Sequence, residues 1–133
     1  MLAGLLGASG VAIGAYHAHG LEKRLTRQGF DRQQIDDQLH QCDTGVRYQM
    51  YHALALLAVG VLLAVRSGAA LHVAGALFVL GVLLFSGGLY WMVFFENRVH
   101  WAIVPSGGLL LVSGWLALAI AALQPCPVGA SEC

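Results

Sequence analysis

Two pairs of polar residues, Tyr48 with His52 and Ser86 with Tyr90, stand four apart in this 133-residue chain. On a helix that spacing brings both side chains to one face. A phenol beside an imidazole can hold a polar ligand or pass a proton. His19, Arg47 and Gln49 fall at the same depth once the chain is folded into antiparallel helices. The set His19, Arg47, Tyr48, Gln49, His52, Ser86 and Tyr90 is therefore the candidate ligand pocket. A plainer reading competes with it: tyrosine suits the depth of a membrane surface, and a lone histidine often only bonds a neighbouring hydroxyl or carbonyl.

Other chemistries are weaker. His17, His19, His52 and His100 supply enough imidazoles for axial haem ligation. But His17 and His19 are two apart, on different sides of a helix, and no HExxH-type spacing occurs. No metal or cofactor is expected. Proton-coupled exchange usually needs a buried carboxylate, and Glu96 stands only at the end of an apolar run. A nucleophilic Ser or Cys would need a base held by a third group, and no acid is at hand. The expectation is a non-enzymatic protein.

The elements that must position these residues follow from the charges. Only 14 residues are Asp, Glu, Lys or Arg, 11% of the chain, against about 25% in a soluble domain. Ten of them lie between Glu22 and Arg47. The remaining uncharged stretches are each long enough to cross a bilayer core of ~30 Å. A soluble fold and a disordered chain are both excluded, and a net charge of zero leaves no footprint for nucleic acid. Long runs without polar alternation choose helices over a barrel. The fold expected is all-α, a single membrane domain over 1–133 with four transmembrane helices near 1–19, 47–65, 69–95 and 101–123. The first run has no basic residue before its apolar core and reads as a retained helix rather than a signal peptide.

Lysine and arginine are six to one in favour of the face carrying Lys23, Arg24, Arg27, Arg32, Arg47 and Arg98, with Arg66 opposite. That bias makes the 20–46 loop cytoplasmic and both termini external. Within the loop, Asp31 and Gln34 form a capping box pattern, with Phe30 and Ile35 as a staple. Ile35, Leu39, Cys42 and Val46 recur at helical spacing. A short amphipathic interfacial helix is expected over 31–43, feeding into helix 2 near Gly45. Its −3 charge favours packing on this chain or a partner over anionic lipid. In the outer tail, 124–133, Cys126 and Cys133 could close a disulfide in an oxidising compartment or remain thiols.

Small residues punctuate the apolar runs: Gly10 and Gly14, Gly87 and Gly88, Gly107, Gly108 and Gly114. In lipid they let helix backbones approach, so they mark packing faces within the bundle or between protomers.

The stretches GAYHAHGL (14–21), GVRYQMYHALALL (45–57), LFSGGLYW (84–91) and PSGGLLLVSGWLALAIAAL (105–123) resemble, in order, the small integral membrane family of the YgdD/YwdK type, domain-of-unknown-function family 423. The resemblance implies a four-helix protein of the bacterial cytoplasmic membrane and no particular activity. It falls on His19 and Gly20, on Arg47, Tyr48, Gln49, Tyr51 and His52, on Ser86 and Tyr90, and on Pro105, Gly107, Gly108, Gly114 and Trp115. His17, the long 22–44 segment and FFENRVHW (94–101) depart from it. The leading expectation is a bundle that binds lipid or a small apolar molecule, or an accessory subunit of a membrane complex. Its partners would be the lipid bilayer, a second copy of itself as a homo-oligomer, or a membrane-complex partner. The alternatives are a small oligomeric transporter or channel with a Tyr/His-lined path, and a haem- or quinone-linked redox accessory.

Overall fold

The structure, a computed structural model, describes residues 1–95 and 99–124; Glu96, Arg98, Cys126 and Cys133 lie outside them. Every regular element is helical: α1 (Leu2–Tyr16), a π turn (His17–Leu21), α2 (Glu22–Arg27), α3 (Arg32–Val65), α4 (Ala69–Phe95) and α5 (Ile103–Leu123). Three of these, α3, α4 and α5, are long and apolar enough to cross a membrane. α1 has 15 residues, about 22 Å at the helical rise, and continues through the π turn into α2 without a break in helical direction.

Where the spacing predicts a separate helix over 31–43, the structure has the first turns of a single 34-residue helix. Its start is as expected. The Gln34 backbone N–H donates to Asp31 Oδ1 at 2.8 Å, and Asp31 N–H donates to Gln34 Oε1 at 3.0 Å. The short helix does not merely feed into the next near Gly45 but is continuous with it. A mid-helix glycine costs only about 0.5–1 kcal/mol, and here its bare Cα makes room for a ring. A Cβ on Gly45 would stand 2.7 Å from Cε1 of Tyr90. The helix is about 51 Å long, well beyond one hydrocarbon thickness. The turn before it is made by Gly29, the residue with positive φ (84°).

α3 is the hub. α1 packs on one side of it and α4 on another, and α5 packs on α4. Two cores result. One, shared by α3, α4 and α5, holds Ala55, Val59, Ala74, Phe78, Val82, Leu111 and Ala117. The other gathers Leu21, Leu25, Ile35, Cys42 and Val93. The apolar stripe of the 31–43 segment is thus spent on this chain's own helices.

Glycine seams set the spacing. A Cβ on Gly10 would meet Met50 Sδ at 2.8 Å and one on Gly14 would meet Val46 Cγ1 at 3.3 Å, both across the α1–α3 crossing. Gly88 faces Val104, Gly114 faces the Phe78 ring, and Gly107 lies against the backbone of Leu84 and Phe85. Gly108 makes only ordinary contact with the Phe85 ring. Gly87 takes no part in the seams within the chain: it is exposed, with nothing within 4 Å of its Cβ position, because its neighbour Gly88 takes the inward place. Gly45 and Gly81 also join the seams, Gly45 against Tyr90 and Gly81 against Leu111.

Two arginines close helix ends that belong to other helices. Arg24 Nη2 donates to Phe94 O at 2.9 Å near the end of α4, and Arg66 Nη2 donates to Ala121 O at 2.9 Å near the end of α5. Terminal carbonyls lack intrahelical partners, and a cation there also suits the helix dipole.

Candidate functional site

Gln49 is buried at the meeting of three helices. Its Nε2 donates to Leu6 O at 2.7 Å and to Ser9 Oγ at 2.8 Å, both on α1. Its Oε1 accepts from the Tyr90 hydroxyl of α4 at 2.9 Å. One amide therefore ties α1, α3 and α4 together, with both its donor and its acceptor end engaged. Such groups must find partners inside a bundle because no water serves them there.

His52, three residues on, ties α3 to α5. Its Nε2 lies 3.1 Å from Trp115 Nε1, and its Nδ1 lies 2.7 Å from the Tyr48 carbonyl. An indole N–H can only donate and a carbonyl can only accept. His52 must then carry its proton on Nδ1 and offer a lone pair at Nε2. Both ring nitrogens are used, and the ring sits among Phe78, Trp115 and Tyr48 at centroid distances of 5.5, 6.1 and 6.1 Å.

Of the remaining members of the expected pocket, Tyr48 adjoins these: though exposed, its ring stacks on His52 at 6.1 Å and lies tilted against Phe85 at 4.7 Å. Arg47 points outward and pairs with Asp43 at 2.9 Å, one turn before it. Ser86 is fully buried, and its hydroxyl has no hydrogen-bond partner. His19 is exposed on the π turn, away from the α3–α4 contact. His17, by contrast, donates from Nε2 to Leu39 O of α3 at 3.1 Å. Among the described residues no group of three or more His, Cys, Asp or Glu converges as a metal site would require.

Ser9, Gly45 and Trp115 are the site residues that the candidate set omits. Ser9 is a hydroxyl inside the α1 run, and Trp115 lies in a motif the resemblance covers; each carried a visible signal. Gly45 marks where the 31–43 helix feeds into helix 2, and its place under the Tyr90 ring is visible only in the fold.

A separate concavity lies elsewhere. It is an apolar groove of about 860 Å³ walled by α3 (Leu56 to Ala64) and α4 (Leu71 to Leu80), with the first residues of α1 at one end. Gly60 and Gly75 hollow it out. Its one ring-bearing polar residue is His72, whose Nδ1 bonds to Gly68 O at 3.0 Å.

Comparison with known proteins agrees with a membrane protein. Residues 13–108 match the family model described as "Protein of unknown function (DUF423)". A UPF0382 membrane protein of Staphylococcus haemolyticus is 40% identical over 114 residues, 86% of this chain and 85% of the relative. One from Haemophilus influenzae is 39% identical over 118 residues, 89% and 87% of the two chains. The UPF0382 membrane protein YwdK of Bacillus subtilis is 36% identical over 115 residues, 86% of each. No solved structure matches. The matched span contains Gln49, His52, Ser86, Tyr90 and the π turn, whereas Leu6, Ser9 and Trp115 lie outside it. On this evidence the protein belongs to the DUF423 family, membrane proteins of unknown function.

Proposed function

We propose that this chain is a non-enzymatic, four-span protein of the bacterial cytoplasmic membrane that binds a lipid or small apolar molecule, alone or as an accessory subunit of a membrane complex. The observation that carries this reading is the α3–α4 groove. Its volume, about 860 Å³, falls in the range of small-molecule sites, about 300–1,000 Å³, and its walls are hydrocarbon apart from His72. The polar residues that would line a transport path support it indirectly. Gln49, His52 and Tyr90 are bonded to helices of this chain and hold the bundle shut at their level.

The exposed aromatics support the fourth span and its surface. Gly88 meets Val104, so Trp91, three residues on in α4, and Trp101, three residues before Val104 in the turn that leads into α5, lie towards the same end of the α4–α5 pair. Gly14 meets Val46, which brings Tyr16 to the level of Thr44, beside Gly45 and Tyr90. An aromatic belt at that height suits a membrane surface, with α2 and the first turns of α3 beyond it on the charged side.

Gly60→Leu tests the binding reading. Nothing lies within 4 Å of the Gly60 Cβ position, so the new side chain enters the groove without a clash. In nanodiscs, an anthracene-labelled fatty acid should bind the variant at least about tenfold more weakly than the unaltered protein, ~1.4 kcal/mol. Gly87→Leu, equally open but outside the groove, should bind as before. Undiminished binding by Gly60→Leu would overturn the reading.

Orientation is tested separately. A reporter after residue 123 should read as external and one at the Gln28–Gly29 turn as cytoplasmic; the reverse pattern would remove the assignment of faces.

A further inference from the structure

The π turn stands between the two packing surfaces that the first helix presents to α3. His17 ends the first surface, bonded to Leu39 O. In an unbroken α-helix the residue seven further on falls within about 20° of two full turns. That residue is Arg24, and its guanidinium would be driven into the cluster of Leu21, Ile35 and Cys42. The structure has Leu25 there instead, fully buried in that cluster. Arg24 is turned aside, its Nη2 on Phe94 O and its charge 5.9 Å over the Phe94 ring. Eight residues therefore separate two positions that an α-helix would place seven apart. A π turn, with i→i+5 bonds, takes up one residue more than an α turn.

A second contact keeps the turn compact. The Tyr16 ring lies over Gly20, where a Cβ would stand 2.9 Å from Tyr16 Cε2. The same ring lies 5.9 Å from that of Phe94. The motif HAHGL thus has its glycine where the ring crosses and its exposed residues, Ala18 and His19, on the outward side.

We infer that the His17–Leu21 segment is a register joint: it absorbs one surplus residue, so that α1 and α2 each keep their own seam on α3 while Arg24 is delivered to the end of α4. The joint decouples the rotation of α2 from that of α1. A residue can be lost here without turning either helix out of its contacts. Nowhere else in Leu2–Arg27 is that so, because an α-helix turns by about 100° per residue removed.

Cys42, buried in the second core, reports whether that core is closed. The full chain in nanodiscs is alkylated with a maleimide, and modification of the Cys42 peptide is followed by mass spectrometry. Deletion of Ala18 should leave the Cys42 rate within about threefold of the unaltered protein. Deletion of Ala12, exposed on α1, should raise it at least about tenfold by opening the packing of α1 and α2 on α3. The inference is overturned if the Ala18 deletion exposes Cys42 as much as the Ala12 deletion does. It is equally overturned if the Ala18 deletion fails to fold, or if the Ala12 deletion stays as protected as the unaltered chain.

Discussion

Gly107→Ala should separate α4 from α5 or prevent the bundle from forming. A Cβ at this position would fall on the Phe85 backbone nitrogen, with Leu84 C and Phe85 Cα both at 2.9 Å. Side chains can rotate away from an added methyl, and overpacking then costs about 1–3 kcal/mol. A helix backbone cannot, so the whole of α5 would have to move out. That would also draw Gly114 off the Phe78 ring and Trp115 off His52. A loss above ~3 kcal/mol is expected, among the larger effects of single substitutions. Gly87→Ala is the matched control. It adds the same methyl into open space one helix away, and should be neutral or stabilising by up to about 1 kcal/mol through helix propensity. Unfolding of both variants in mixed micelles by a denaturing detergent measures the difference. Equal stability of Gly107→Ala and the unaltered protein would mean that α4 and α5 do not approach as described.

Gln49→Met should be the most damaging change to a polar side chain. Methionine keeps the length and flexibility of the residue but removes every bond it makes. The Tyr90 hydroxyl is left in the bundle interior without its acceptor, and Ser9 loses its link to α3. An unsatisfied buried group costs about 1–3 kcal/mol. Measured couplings between polar groups in membrane helices are smaller, ~0.6 kcal/mol on average and at most ~1.7. Pairing the change with Tyr90→Phe separates the two terms. The single variants should lose about 2 and about 1 kcal/mol respectively, and the double variant should lose less than their sum by about 0.6–1.7 kcal/mol. Additivity to within ~0.3 kcal/mol would show that Gln49 and Tyr90 do not act together.

These two predictions differ in what could be read beforehand. The glycine seams on α1 and α5 were visible as small residues in apolar runs, since close approach in lipid has few other signatures. Which member of the Gly87–Gly88 pair faces inward was not visible, because adjacent residues differ by about 100° on a helix and both fit the composition. The polar residues were found by type and depth, and their partners were not. His52 looks the same in sequence whether its nitrogens await a ligand or, as in the fold, are taken by Trp115 and by its own helix. Trp115 is 63 residues away, and no local pattern links the two.

The sequence by itself determined that this is a helical membrane protein, where its long apolar helices run, and where the capping box begins α3. These depend on transfer free energy and on contacts within a few residues, which composition and spacing carry directly. Tertiary structure alone decided that α3 runs unbroken through Gly45, that the first helix takes up a surplus residue at His17–Leu21, and that Gln49 and His52 serve as interhelical ties. Each of those depends on which side chain of one helix meets which of another. That is set by rotation and offset between helices, quantities that no single stretch of chain contains.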